Sequence, residues 1–144
     1  MLYNKEQIKM ILPHRNPMLL VDEIETIIDQ RIIVGIKHVL IDDFYFQGHF
    51  EDEPIMPGVM MVEACAQTGA VLVLSLDQYK GKMCYFAGID KVRFKQRVKP
   101  NQSLKMKVEL LKIRHNRGKS KIEAFVDDKQ VLVGEILFTI GEPV

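Results

Sequence analysis

The fold is decided by residues 57–76, which read PGVMMVEACAQTGAVLVLSL and are almost entirely apolar. Pro57 suits the first turn of a helix, because its missing N–H has no intrahelical partner there. A helix that is apolar all round must be covered on both faces by other elements. At about 1.5 Å per residue, roughly 20 residues span about 30 Å, the width of a small domain. The stretch therefore predicts a buried central helix with a sheet around it.

Composition narrows the class of protein. The chain has 144 residues and 47% hydrophobic content, which predicts one domain, 1–144, with a real core. Its net charge of +1 gives no general argument for nucleic acid. Glu63 and Gln67 interrupt the long helix, which favours a core helix over membrane insertion. Cys65 and Cys84 lack a paired spacing, and the N-terminus lacks an apolar run of signal-peptide length, so we expect a cytoplasmic protein.

The rest of the chain predicts mostly strands. Residues 4–11 are expected to form a short helix with Asn4 as its N-cap. Apolar residues alternate on both sides of Asp29-Gln30, which predicts a strand pair within 19–40. Further strands are expected at 83–88, 91–99, 103–114, 120–127 and 130–140. The pattern predicts an α+β fold, with one long hydrophobic helix packed on an antiparallel sheet.

Four segments carry a family signature: LPHRNPMLLVD (12–22), FQGHF (46–50), PIMPGVMMVEACAQ (54–67) and YFAGIDKVRFKQRVKP (85–100). They resemble the 3-hydroxyacyl-[acyl-carrier-protein] dehydratases of type II fatty acid synthesis, the FabZ type. The spacing is specific, since Pro57-Gly58 follows His49 by eight and nine residues and Glu63 follows it by fourteen. The chain departs from the family pattern directly after His49-Phe50: many relatives have a proline there, whereas this chain has Glu51-Asp52-Glu53. The resemblance implies a hot-dog fold, in which a curved antiparallel sheet wraps a long central helix.

The resemblance also implies a reaction: water is removed from a (3R)-3-hydroxyacyl thioester to give the trans-2-enoyl thioester. His49, in a predicted loop over 41–56, is the candidate base, because a neutral imidazole is basic at cellular pH. The alternative is a structural loop histidine. Glu63 is the candidate acid, since its apolar helix neighbours favour a neutral carboxyl group. The alternative is a solvent-facing stripe that Glu63 shares with Gln67.

Three further residues are candidates for binding the substrate. Backbone N–H groups at a helix start have no intrahelical partner, and Met56, the nominal N-cap, has no strong capping acceptor. By resemblance, the N–H of Gly58 polarises the thioester carbonyl, and the backbone of Val59 contacts His49 or the substrate. A glycine needed only for close packing is the alternative. In relatives an aromatic residue at the position of Tyr85 gates the acyl tunnel; a half-buried core tyrosine is the alternative.

Cations alternate with other residues in the segment KVRFKQRVK (91–99). With the period of a strand, they would share one face: Lys91, Arg93, Lys95, Arg97 and Lys99. This face is either a soluble outer surface or, with nearby Arg15, a docking surface for an acidic acyl carrier protein. RNA fits less well, because no stacking aromatic residues share the face.

Neither a metal nor an organic cofactor is expected. His14, His38 and His115 show no metal-ligand spacing, and acid–base groups suffice for dehydration next to a thioester. His14 and Arg15 are expected to be structural. The resemblance implies a homodimer with a continuous sheet, in which His49 of one subunit meets Glu63 of the other, and a trimer of dimers (hexamer).

Three rival functions remain open on the sequence. The first is the related dehydratase that also isomerises the product double bond, which usually carries aspartate at the position of Glu63. The second is a hot-dog thioesterase, which would hydrolyse the thioester. The third is a module that binds acyl groups without catalysis.

Overall fold

The long apolar stretch forms helix α2, Gly58–Ser75, which packs against an antiparallel sheet. The computed structural model describes residues 1–142. A short helix, α1 (Lys5–Lys9), comes first. The strands are β1 (Glu23–Ile28), β2 (Ile32–His38), β3 (Met83–Phe94), β4 (Ser103–Arg114), β5 (Arg117–Val126) and β6 (Lys129–Gly141). They form one six-stranded sheet in the order β1-β2-β4-β5-β6-β3. The predicted α+β architecture is confirmed.

Helix α2 is the core of the molecule. Of its 18 residues, 12 are buried, as expected for a helix that is apolar on all sides. Its length and hydropathy would suit a membrane span, but 67% of it is buried inside the protein. The sheet covers it through β2, β3, β4 and β5, so its apolar surface is used within the fold.

The predicted N-terminal helix and the predicted strand pair are both present, although α1 is shorter than the predicted 4–11. The side chain of Asn4 caps α1 by accepting a hydrogen bond of 2.9 Å from the backbone N–H of Gln7. The side-chain oxygen of Gln7 in turn accepts a hydrogen bond of 2.8 Å from the backbone N–H of Asn4. This reciprocal pair is a capping box. β1 and β2 pair in antiparallel fashion around the turn at Asp29-Gln30, as predicted for 19–40.

Helix α2 begins one residue later than predicted. Pro57 has an extended backbone (φ −59°, ψ 135°) and is the N-cap, so Met56 lies one residue before the cap. The carbonyl of Pro57 accepts the first helical hydrogen bonds, from the N–H groups of Met60 (2.9 Å) and Met61 (3.3 Å). The prediction that Pro57 lies in the first turn, with Met56 as N-cap, is therefore wrong by one position.

The predicted strands 83–88 and 91–99 are a single strand, β3, which ends at Phe94. A register shift between Asp90 and Arg93 interrupts the pairing of β3 with β6, and Lys91 at its centre has a φ of 54°. A bulge of this kind breaks the alternation of side chains. The prediction of five cations on one strand face is therefore wrong, and three of them follow the end of the strand: Lys95, Arg97 and Lys99.

The chain leaves the sheet after Phe94 to cover the start of α2. Val98 is fully buried, and its carbonyl accepts a hydrogen bond of 2.8 Å from the N–H of Met56. The remaining predictions hold with small shifts: β4 matches 103–114, whereas β5 and β6 begin three residues and one residue before the predicted 120 and 130.

Candidate active site

A cavity of about 80 Å³ lies between α2 and the sheet. One stripe of α2 lines it at helical spacing, from Glu63 to Val73. The strands contribute mostly apolar side chains, and one further residue comes from the loop after α1. The residues that line the cavity are His14, Glu63, Ala66, Gln67, Gly69, Ala70, Val73, Cys84, Tyr85, Phe86, Ser120, Ile136 and Phe138.

Glu63, the predicted acid, projects into this cavity with 22% of its side chain exposed. The side-chain amide of Gln67 donates a hydrogen bond of 2.7 Å to its carboxylate. Gln67 is itself 1% exposed and tied to the loop before β1, because its Oε1 accepts from the N–H of Leu20 and its Nε2 donates to the carbonyl of Met18, both at 2.8 Å. Because Gln67 is buried, it does not share a solvent-facing stripe with Glu63.

His14 is a site residue that the sequence reasoning missed. Its Nε2 lies 3.7 Å from Oε2 of Glu63, and its buried Nδ1 has no hydrogen-bond partner among the described residues. Burial lowers the pKa of His14; the charge of Glu63 opposes this shift and that of Arg15 adds to it. The segment LPHRNPMLLVD marks His14 as part of the family signature. Nothing in that segment distinguishes a structural histidine from one that faces a cavity.

His49, the predicted base, lies in the loop before α2 and is half-buried. Gly48 precedes it with a φ of 82°, a conformation that glycine adopts without strain. The Nδ1 of His49 lies 2.9 Å from the carbonyl oxygen of Ile55. A carbonyl only accepts hydrogen bonds, so Nδ1 carries the proton and a neutral ring leaves the Nε2 lone pair free. This tautomer is the one a general base needs.

The cavity contains only one of the two predicted catalytic residues. Among the residues described, those that line it include Glu63 but not His49. The ring of His49 instead stacks on Phe50, with the ring centres 4.2 Å apart, and Phe50 is 54% exposed. The expected meeting of His49 with a Glu63 from a second subunit stays a prediction.

Gly58 and Val59 are the first two residues of α2. Their N–H groups precede the first intrahelical hydrogen bond, and the Pro57 cap offers no side-chain acceptor, so both are free donors by position. The packing alternative also has support, since a Cβ on Gly58 would lie 2.7 Å from Cε1 of Phe94. Gly58 thus has both a free donor position and a close neighbour, and its role in binding stays a prediction.

Tyr85 and Phe86 both line the cavity. Tyr85 is half-buried, and its hydroxyl donates to the carbonyl of Glu142 at 3.3 Å. Cys84 lies next to it, and burial raises the pKa of this thiol to about 12. Burial therefore disfavours the thiolate form of Cys84. The choice between gate and core for Tyr85 stays open.

The basic residues of 91–97 lie outside the cavity and are exposed. Lys95 bonds to Gln130 at 2.6 Å and Arg97 lies 3.7 Å from Glu53. Arg15 is anchored on the carbonyls of Lys9, Leu12 and His14. A second basic surface, at the β4–β5 hairpin, comprises Lys112, Arg114, His115, Arg117 and Lys119. In residues 1–142, no three His, Cys, Asp or Glu side chains are grouped as metal ligands would be.

Comparison with known proteins identifies the family. The FabA-like domain family matches residues 12–135. The chain is 51% identical over 138 residues to the 3-hydroxyacyl-[acyl-carrier-protein] dehydratase FabZ of Clostridium perfringens, covering 96% of this chain and 99% of that protein. It is 49% identical over 136 residues to the protein of the same name from Clostridium tetani, covering 94% and 96% respectively.

A solved structure supports the fold. The dehydratase heterocomplex ApeI:P from Xenorhabdus doucetiae superposes with a TM-score of 0.80 at 18% identity, covering 95% of this chain and 91% of that chain. At this identity the likeness concerns the fold alone, and it confirms the expected hot-dog arrangement. The chain therefore belongs to the FabA-like family, in which the FabZ dehydratases are its full-length relatives.

Proposed function

We propose that this protein dehydrates (3R)-3-hydroxyacyl-[acyl-carrier-protein] to the trans-2-enoyl product in fatty acid synthesis. We further propose that the chain is a single domain and that it acts in the cytoplasm. The observation that carries the proposal is 51% identity to a dehydratase over nearly the full length of both chains. The candidate groups for the reaction are Glu63 as the acid, His49 as the base, and the backbone N–H groups of Gly58 and Val59 as donors. The proposal requires no metal or organic cofactor.

His49 begins the reaction as the general base. Its Nδ1–H donates to the carbonyl of Ile55, and this bond orients the ring and directs the Nε2 lone pair outward. Nε2 takes the proton from C2 of the substrate. The positive charge that forms on the ring is stabilised by the carbonyl at Nδ1.

Glu63 completes the reaction as the general acid. It donates a proton to the hydroxyl group on C3, the C3–O bond breaks, and water leaves as the C2–C3 double bond forms. The amide of Gln67 holds one carboxyl oxygen at 2.7 Å, so the other oxygen is available for the departing hydroxyl. The acyl tail lies in the apolar cavity next to Glu63.

The N–H groups of Gly58 and Val59 bind the thioester carbonyl. Negative charge builds on that oxygen when the C2 proton leaves, and the positive end of the α2 dipole stabilises it. Gly58 permits a close approach because it carries no side chain.

We propose a homodimer, assembled further into a trimer of dimers. β3 is an edge strand 12 residues long that pairs with β6 on one side only. Its exposed large apolar residues are Phe86 (45%), Ile89 (56%) and Phe94 (51%). An unpaired strand edge that carries exposed apolar side chains favours pairing with a second chain. Such pairing would extend the sheet and bring His49 of one subunit to Glu63 of the partner subunit.

The carrier protein needs a basic docking surface. We retain Lys91, Arg93, Lys95 and Arg97 as the candidate surface, although they do not share one strand face. Arg93 and Arg97 are exposed, and complementary charge would speed the encounter with an acidic partner. Arg15 is less suited, because backbone carbonyls already hold its guanidinium group.

The deciding experiment is a dehydration assay on 3-hydroxyacyl carrier-protein substrates, with the products identified. We expect trans-2-enoyl product and no free thiol. Substituting His49→Ala should lower kcat/KM by about 10²–10⁴-fold, the usual worth of a general base. The substitution His38→Ala, at an exposed strand end, is the control.

Each rival function has its own signature in this assay. A cis-3-enoyl product would identify the isomerising dehydratase, and free thiol release would identify a thioesterase. Near-normal dehydration by His49→Ala would refute the mechanism and favour a binding module.

A further inference from the structure

Phe138 lines the end of the cavity that lies furthest from Glu63 along α2. β3 runs back along the helix, because Phe94 packs at Gly58 and Met83 follows the helix end after a short connection. Phe138 is the cross-strand partner of Phe86, near the start of β3, so it lies beside the last turns of α2. From Glu63 to Val73 the helix rises about 15 Å.

The ring of Phe138 lies directly against the backbone of Gly118. The two residues are cross-strand partners in β5 and β6. A Cβ on Gly118 would meet Cζ of the ring and would lie 2.6 Å from Cε2 and 2.8 Å from Cε1. Carbon atoms in contact are about 3.5–4.0 Å apart, so any side chain at position 118 would displace the ring.

The cavity borders the ring that a Cβ at position 118 would displace. Phe138 is 7% exposed and lies between its cross-strand partners Gly118 and Phe86. Phe138 is also one of the residues that line the cavity. The missing side chain at Gly118 therefore leaves volume at this end of the cavity that a Cβ would remove.

We propose that the pair Gly118 and Phe138 sets the depth of the acyl-binding cavity and thereby the length of acyl chain that the enzyme accepts. The inference rests on the proposed function, which places the acyl tail in this cavity. Both residues act on the tail and not on the reacting atoms, so short substrates escape their effect.

The test compares kcat/KM for 3-hydroxybutyryl, 3-hydroxyoctanoyl and 3-hydroxyhexadecanoyl carrier-protein substrates. Gly118→Ala should keep activity on the short substrate and lose activity selectively on the longer ones. We expect a loss of about 10- to 200-fold at the first length that no longer fits, the range for one methylene in a tight apolar pocket. Phe138→Leu should shift the preference towards longer chains.

Two further variants distinguish a change in cavity depth from a general loss of structure or activity. The double variant Gly118→Ala/Phe138→Leu should recover the longer substrates, because a smaller side chain leaves room for the new Cβ. Gly134→Ala is the control: it lies in the same strand as Phe138, and its Cβ would lie 2.6 Å from Cγ2 and 2.9 Å from the backbone Cα of Val92, which does not line the cavity. Melting temperatures establish that each variant is folded.

An unchanged ratio of long- to short-chain activity in Phe138→Leu and in the double variant overturns the inference, and this holds even if Gly118→Ala alone does not fold. An equal change of ratio in Gly134→Ala also overturns it. If wild-type protein dehydrates none of the substrates, the proposed function itself is wrong. Dehydration without any effect on chain length leaves the proposed function in place and removes only this inference.

Discussion

The carboxylate of Glu63 accepts a hydrogen bond of 2.7 Å from the side-chain amide of Gln67, one turn further along α2. Gln67 has no freedom to turn away, because its amide oxygen must accept from the N–H of Leu20 and its NH₂ group also donates to Met18. One buried amide therefore joins the candidate acid to the loop that precedes β1.

The substitution Gln67→Met tests this arrangement. Methionine keeps the volume but leaves the buried N–H of Leu20 without its acceptor, so we expect the free energy of unfolding to fall by about 1–3 kcal/mol. kcat should fall as well, because Glu63 loses its fixed orientation. Urea denaturation and steady-state kinetics measure the two effects. The exposed Gln78→Met is the control, and equal stability of the two variants would contradict the prediction.

His14 predicts a pH dependence of stability. Burial lowers its pKa below the ordinary 6.5, against the opposing charge of Glu63. As the pH falls through 6.5, the unfolded chain binds a proton that the folded chain does not, so the free energy of unfolding decreases until the lower folded pKa is reached. His14→Gln should flatten this slope in denaturation curves measured across that window. Parallel curves for wild type and variant would refute the assignment.

The two possible roles of Gly58, as an N–H donor and as a residue small enough to pack against Phe94, can be tested separately. The background variant Phe94→Leu removes the ring that a Cβ at position 58 would meet. In that background, Gly58→Ala keeps the N–H, whereas Gly58→Pro removes it at a helix position that tolerates proline. The ψ of 135° at Pro57 suits a following proline.

We expect kcat to be about 10²–10³-fold lower with proline than with alanine at position 58, the usual worth of one oxyanion donor. Single-turnover kinetics would measure the chemical step. Equal rates in the two variants would leave Gly58 with a packing role only.

The shared site predicts complementation between inactive subunits. His49→Ala and Glu63→Ala homodimers should both be inactive. Mixed dimers should recover activity, because one of their two sites would combine an intact His49 with an intact Glu63. The measurement is the dehydration rate of purified mixed dimers carrying two different tags. No recovery in confirmed mixed dimers would contradict the shared site.

The docking surface predicts a change in KM that depends on the carrier. The double variant Arg93→Glu/Arg97→Glu should raise KM for the carrier-linked substrate far more than for a short thioester mimic, because only the former presents an acidic protein. Arg114→Glu/Arg117→Glu, on the β4–β5 hairpin, changes charge equally on the second basic surface. An effect of the hairpin pair alone would move the docking site there.

Much of the fold was predictable because its signals are local. The apolar character of α2 can be read from one short stretch of sequence. A helix with no polar face has to be covered by other elements wherever it lies in the fold. The turn at Asp29-Gln30 and the cap at Asn4 are likewise local. Errors arose where a distant contact overrides the local pattern, as in β3, where the bulge around Lys91 and the burial of Val98 end the alternation of cations.

The sequence by itself determined the central helix, the antiparallel sheet and the presence of His49, Gly58 and Glu63 at a specific spacing. Only the tertiary structure decided which side chains meet: His14 beside Glu63, Gln67 on the backbone of Leu20, and Phe138 on Gly118. The physical reason is distance along the chain. A residue pattern reports on neighbours within a turn or along one strand, whereas contacts such as these join residues 20 to 49 positions apart and depend on how whole elements pack.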